Sequence, residues 1–149
     1  MGRKSSSQKG ASLVEFALVL PVLILILFGI IEFGLIFYNQ QVITNASREG
    51  ARYGIISQTP RVTEAQIKQR VKDYCFNHLV TFGSTIRTPQ DSDIDAPAIA
   101  APVFPIDNLQ VTVRWNYQFL VVPAIASSFF GGGIGTGLPL TASAVMKYE

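Results

Sequence analysis

The sequence has few of the residue types that build catalytic and metal centres. Its 149 residues include one cysteine, Cys75, and one histidine, His78. A single cysteine excludes an intrachain disulfide framework and a cysteine-only zinc site, and a lone histidine removes most metal sites and catalytic triads. Charged residues make up only 15%, and twelve basic residues nearly balance ten acidic ones. There is therefore no overall basic field of the kind that binds nucleic acid.

What the chain has in excess is apolar surface. Hydrophobic residues make up 48% of the sequence, and the mean hydropathy is +0.32. This is too apolar for a disordered chain and unusual for a free soluble domain, while the length allows one modest domain. Either the core is very rich or part of the chain meets lipid.

The apolar residues are concentrated near the N-terminus. Sixteen residues without a charge separate Glu15 from Glu32, and the apolar character continues to Tyr38. The stretch from Phe16 to Tyr38 exceeds the ~20 residues that a membrane-spanning helix needs. It also lacks the small-x-small site that follows a secretory signal. Because the preceding MGRKSSSQKG carries three basic residues and no acid, the N-terminus is expected in the cytoplasm and the residues from about 39 onward in the periplasm.

Two acidic residues bound this apolar stretch. Glu15 lies at its start, where an acid is costly, and we expect it to have a functional partner; the alternative is that it reaches water at the interface. Glu32 follows seventeen residues later, about 25 Å along a helix, so the two cannot form one carboxylate pair. Glu32 is expected either to reach periplasmic water or to contact another subunit.

Residues 10–16 read GASLVEF and resemble the prepilin-peptidase site of type IV pilins, where cleavage follows the glycine and a glutamate stands at mature position five. The longer stretch, which opens with ASLVEFALVLP, carries an EF pair late in the apolar helix and closes with REGARYG, covers residues 10–54. It resembles the N-terminal signature of the TadE-like minor pilins of the tight-adherence (Flp) pilus system.

The resemblance implies an inner-membrane pseudopilin that is needed for pilus assembly and surface attachment. It implies cleavage between Gly10 and Ala11, with Glu15 and Phe16 acting in assembly. The implied partners are prepilin peptidase, a TadF-like minor pilin, the Flp major pilin, the inner-membrane assembly machinery and membrane lipid. No nucleic acid, cofactor, metal or enzymatic activity is expected. Removal of residues 1–10 would take away three basic residues, so the net charge would change from +2 to 9 − 10, or −1.

Two other functions remain open from the sequence. The chain could be an uncleaved single-pass anchor that displays a periplasmic binding head, or an envelope enzyme that uses Cys75 or the aspartates Asp91, Asp93 and Asp95. Against the enzyme, no third group is placed to orient His78 beside Cys75. The aspartates lack the glycine and glutamate that a calcium loop requires.

The predicted organisation is a leader at 1–10, a transmembrane helix at 11–38, a periplasmic extension of that helix at 39–57 and a head at 58–149. Within the extension, Ala46, Gly50 and Gly54 recur every four residues. This stripe of small side chains either lets another backbone approach or, through its glycines, weakens and ends the helix.

The head is predicted to have an α+β, type IV pilin-like fold, with one amphipathic helix packed on an antiparallel sheet. Thr63 and Gln66 form a capping box ahead of an apolar stripe, Ile67, Val71, Tyr74, Cys75, Leu79 and Phe82. Strict alternation predicts a strand over 109–121, weaker alternation predicts a second over 138–147, and the two are expected to pair. Residues 83–108 are predicted to form a proline-rich loop with a short strand near 85–87. Phe129 and Phe130, before a glycine-rich tip, are expected to form a docking surface for another pilin; the alternative is that they pack into the head.

Overall fold

The computed structural model describes residues 5–57, 59–81, 88–97, 107–121, 127, 131 and 137–148. Its elements are helix α1 (Ser5–Gly54), helix α2 (Glu64–His78), a 3-10 turn (Asp91–Asp93) and strands β1 (Ile94–Asp95), β2 (Asn108–Gln118) and β3 (Gly137–Lys147). The strands form one antiparallel sheet in the order β1-β2-β3. The predicted α+β class, with a long apolar N-terminal helix, is confirmed.

The chain divides into two compact units. We call the first the apolar unit, Met1–Gly34 with Phe119–Gly135, and the second the sheet unit, Leu35–Gln118 with Thr136–Glu149. Helix α1 has residues in both, and its helical conformation continues through Pro21. The local melting that proline favours does not occur there.

Helix α2 begins as its sequence predicts. The Thr63 side chain accepts a hydrogen bond from the Gln66 backbone N–H, and the Gln66 side chain accepts one from the Thr63 backbone N–H. These reciprocal bonds satisfy donors that a helix start otherwise leaves free. Of the predicted stripe, Ile67, Val71, Cys75 and Leu79 are buried and Tyr74 is half-buried; Phe82 lies outside the described residues.

Strands β2 and β3 pair along their whole lengths, from Asn108 opposite Lys147 to Gln118 opposite Gly137. Burial alternates along β2 as the sequence predicts, with the apolar side chains on the buried face. The core of the sheet unit combines that face with side chains of α1 and α2. Its fully buried members include Ile43, Ile67, Val71, Leu109, Val111 and Val113.

Two details of the sheet differ from the sequence prediction. Strand β2 ends at Gln118, three residues before the predicted end, because pairing with β3 stops at Gly137 and the backbone N–H groups of Leu120 and Val121 bond elsewhere. Strand β1 was not predicted. Its Ile94, which lies in the middle of the proline-rich segment, pairs with Val113 of β2. The expected strand near 85–87 and the docking pair Phe129 and Phe130 lie outside the described residues.

Candidate functional site

Helix α1 carries the most apolar exposed surface among the described residues. Its Gly10–Gly54 portion is long and apolar enough to cross a membrane, with a mean hydropathy of 2.9 in the best 18-residue window, none of which is buried. Leu13, Leu18 and Phe33 are each exposed by more than 60%. In water such a surface would be strongly unfavourable, whereas in hydrocarbon it is favourable. The helix is therefore compatible with a single-pass membrane anchor.

The residues of the expected cleavage and assembly site lie at the start of this apolar surface. Gly10, Ala11, Glu15 and Phe16 are all exposed on α1. A Cβ atom at Gly10 would meet nothing within 4 Å. Ala11 and Glu15 are four residues apart, so they lie on the same face of the helix, one turn from each other. An α-amine created at Ala11 would thus lie at the same end and on the same face as the Glu15 carboxylate.

Glu32 does not reach periplasmic water, so that expectation was wrong. Its residue is only 2% exposed. Its Oε1 atom accepts hydrogen bonds from the backbone N–H groups of Leu120 and Val121, the latter at 2.9 Å. Two backbone donors offset much of the cost of burying a carboxyl group. Glu32 therefore joins α1 to the chain that follows β2, a contact within the apolar unit.

This role of Glu32 could not be read from the sequence because its partners are backbone groups 88 and 89 residues away. A backbone N–H leaves no mark in the identity of the residue that carries it. The only signal was indirect: an acid within an apolar stretch needs a partner, and the nearby sequence offers no basic residue.

The stripe of small residues lies against this chain's own side chains. Ala46, Gly50 and Gly54 are all buried. A Cβ atom at Gly50 would come within 2.5 Å of a methyl group of Val71 in α2. A Cβ atom at Gly54 would collide with side chains of Leu109 and Ile67. The close approach that the stripe permits is thus made within the sheet unit, and α1 also ends at Gly54.

Charged side chains join α1 to α2 at the surface of the sheet unit. The Glu49 carboxylate accepts a hydrogen bond from the Arg70 guanidinium at 2.8 Å and one from Arg52 at 3.3 Å. The bond from Arg70, helped by Arg52, holds the pKa of Glu49 below its usual value although partial burial opposes this. The Arg70 guanidinium also lies 5.9 Å from the Tyr53 ring centroid. Glu49 thus links α1 to α2 through its contact with Arg70.

A second link between α1 and the rest of the sheet unit is made by Asn39. Its Nδ2 donates to the Val80 carbonyl oxygen at 2.9 Å, and its Oδ1 accepts from the Val80 backbone N–H at 3.0 Å. Asn39 is completely buried. The amide group thus satisfies both backbone groups of Val80, two residues beyond the end of α2, and no local pattern in the sequence indicates this pair.

The residues considered for enzymatic chemistry show no reactive arrangement. Cys75 is fully buried, and this burial raises the pKa of its thiol to about 12, so it stays protonated at neutral pH. His78 stacks on Tyr74, and its Nδ1 lies 2.8 Å from the Tyr74 carbonyl oxygen. Asp91 pairs with Lys72 at 2.8 Å. Across the described part of the chain, no three His, Cys, Asp or Glu residues are grouped closely enough to hold a metal ion.

Comparison with known proteins agrees with the resemblance seen in the sequence. No curated protein and no solved structure matches the chain. The sequence model of the family described as TadE-like protein matches residues 10–52. These residues cover the GASLVEF segment, the apolar part of α1 and most of the REGARYG segment. Over this part the chain carries the signature of the TadE-like family, which is consistent with a TadE-like protein of the tight-adherence pilus system.

Proposed function

We propose that this protein is a minor pilin, or pseudopilin, of a tight-adherence (Flp-type) pilus, with a structural rather than an enzymatic role. The observation that carries the proposal is the TadE-like match over residues 10–52, a segment that lies within the helix able to span a membrane. Its partners would be prepilin peptidase, the major pilin, a TadF-like minor pilin and the inner-membrane assembly machinery. Surface attachment would follow from the assembled pilus.

The charge distribution of the apolar helix supports this proposal. Before cleavage, Arg3, Lys4 and Lys9 hold the N-terminus on the cytoplasmic side. Cleavage after Gly10 removes all three and creates an α-amine, which is cationic below its pKa of about 8. Glu15 lies one turn further along α1. The α-amine at Ala11 of a neighbouring subunit would then lie at the same end of its helix as this Glu15. Stacking helices in register would pair these charges and offset the cost of the acid.

The first experiment is an intact mass measurement on protein extracted from membranes. In cells with an active prepilin peptidase, we expect the chain to begin at Ala11, and in cells lacking the peptidase it should retain residues 1–10. A Gly10→Val variant should also retain them. If the wild-type chain keeps its leader while the major pilin in the same cells is processed, the chain is an uncleaved anchor with a periplasmic head.

The second experiment tests the role of Glu15. A Glu15→Leu variant should still be cleaved and inserted in the membrane, but piliation should fall because the buried amine has lost its partner. Glu15→Gln is the matched control of nearly equal size, and it should also fail because it lacks the charge. Unchanged piliation in both variants would refute the charge-pairing mechanism without affecting the cleavage result.

A further inference from the structure

The contact made by Glu32 places a second part of the chain beside the membrane helix. Leu120 and Val121 donate their backbone N–H groups to the Glu32 carboxyl group, so they lie at the same level of α1 as Glu32. All three belong to the apolar unit, which combines Met1–Gly34 with Phe119–Gly135. The start of the connection from β2 to β3, at Leu120 and Val121, is thus joined to the part of α1 that carries the apolar surface.

The level of this contact on α1 is apolar. Ile30 and Phe33, on either side of Glu32, are exposed by 66% and 64%. If α1 spans the membrane, as the proposed function requires, these side chains contact lipid near the periplasmic end of the span. Leu120, which is held at that level and is itself 47% exposed, would then meet the same lipid.

The composition of the chain after β2 permits such a contact. From Trp115 to Met146 there are 32 consecutive residues without an Asp, Glu, Lys, Arg or His. The hydrocarbon of a bilayer excludes charged side chains, and leucine and phenylalanine are favoured there. No charged side chain in this stretch therefore opposes contact with lipid at its start. The buried acid of Glu32 is compatible with the same place because two backbone donors satisfy it.

We propose that the chain following β2 makes a second contact with the membrane, with Leu120 lying against lipid in the periplasmic leaflet and Glu32 acting as the positioning residue. The partner is the boundary between lipid headgroups and acyl chains. In the unassembled, membrane-bound subunit, this contact holds the start of the β2–β3 connection at the membrane surface. This inference rests on the proposed membrane-spanning role of α1.

The test uses the full chain, alone, in vesicles of phosphatidylethanolamine and phosphatidylglycerol. A Leu120→Cys variant is labelled with a small fluorophore, and quenching is measured with brominated lipids and with aqueous iodide. Phe33→Cys on α1 is the lipid control, and Val145→Cys on β3, which is 59% exposed, is the water control. Cys75 is left in place because it is fully buried, and unsubstituted protein gives the labelling background.

We expect brominated lipid to reduce the fluorescence of the Leu120 label about as much as that of the Phe33 label, and iodide to affect mainly the Val145 label. Quenching of the Leu120 label by iodide alone would overturn the inference. Protection of that label from both quenchers would also overturn it, because the site would then contact protein. If even the Phe33 label escapes lipid quenching, the membrane span and hence the proposed function fail as well.

A second pair of variants tests the part played by Glu32. Glu32→Gln keeps an oxygen that can accept from the two backbone N–H groups, whereas Glu32→Leu has none. In the labelled Leu120→Cys protein, Glu32→Leu should lower lipid quenching and raise iodide quenching, and Glu32→Gln should retain most of the lipid contact. Equal lipid quenching in both variants would show that Glu32 does not position this segment.

Discussion

Replacing Gly50 by alanine tests whether the stripe of small residues serves the chain's own core or another subunit. In the structure, the added Cβ would lie 2.5 Å from Cγ2 of Val71, 3.4 Å from Val111 and 3.6 Å from Ile67. Val71 is completely buried, and a β-branched side chain in a helix has little freedom to rotate away. The methyl group must therefore displace α2 or β2.

The magnitude follows from two opposing terms. Alanine in place of an interior helical glycine stabilises the helix by about 1 kcal/mol. Overpacking a filled core costs about 1–3 kcal/mol, and the stiff neighbour places Gly50 in the upper part of that range. The expected net result is a loss of about 1–2 kcal/mol in the free energy of unfolding of the sheet unit, or several degrees in Tm.

Trp115 provides the assay because it is the only tryptophan and lies in β2 with 7% exposure. Its fluorescence during urea unfolding in detergent micelles reports the stability of the sheet unit. Gly34→Ala is the matched control on the same helix, since a Cβ atom there meets nothing within 4 Å; without overpacking, it should leave the transition unchanged or move it to higher urea. An unchanged transition for Gly50→Ala with a loss of piliation would refute the reasoning and assign the stripe to a contact between subunits.

Three further predictions concern two contacts and one buried side chain in the sheet unit. Arg70→Met should make the stability of the fold less sensitive to acid. Arg70 lowers the pKa of Glu49, so the stabilisation from this pair is complete above pH 4.5 and is lost as the pH falls through the lowered pKa. Urea titrations across that pH range should show a smaller loss in the free energy of unfolding for the variant than for the wild type. Asn39→Leu should cost about 1–3 kcal/mol in urea unfolding, because it leaves both backbone groups of Val80 without their partner, and amide exchange at Val80 should accelerate. Cys75, with its thiol pKa raised to about 12 by burial, should resist iodoacetamide at pH 8 until urea unfolds the chain; rapid labelling of folded protein would contradict its buried position.

The elements that the sequence predicted well are those specified by neighbouring residues. The capping box of Thr63 and Gln66 lies within one helical turn, and the alternation along β2 repeats every second residue. Each signal is complete within a few positions, so no knowledge of the tertiary fold is needed to use it. The antiparallel pairing of β2 and β3 followed because only two long strands had to find partners.

The parts that the sequence did not predict depend on groups that sequence identity does not describe. Glu32 and Asn39 bond to backbone atoms at Leu120, Val121 and Val80, and any residue except proline offers the same donor. Strand β1 has two residues, too few to show a period. The stripe at Gly50 predicted a close approach but not the identity of the neighbour, because a missing side chain fits any partner.

The two acids in the apolar part of α1 have different environments, and these environments favour different contacts. Glu32 is 2% exposed and its carboxyl group is satisfied by its own chain, so its contribution is to the fold of the apolar unit. Glu15 is exposed on α1, among apolar side chains that favour lipid. An acid in that position is costly for an isolated subunit, and the cost is removed when a cation is brought to it. An apolar span that carries one satisfied acid and one exposed acid therefore has a physical reason to associate at the Glu15 end, where cleavage after Gly10 would create the required cation.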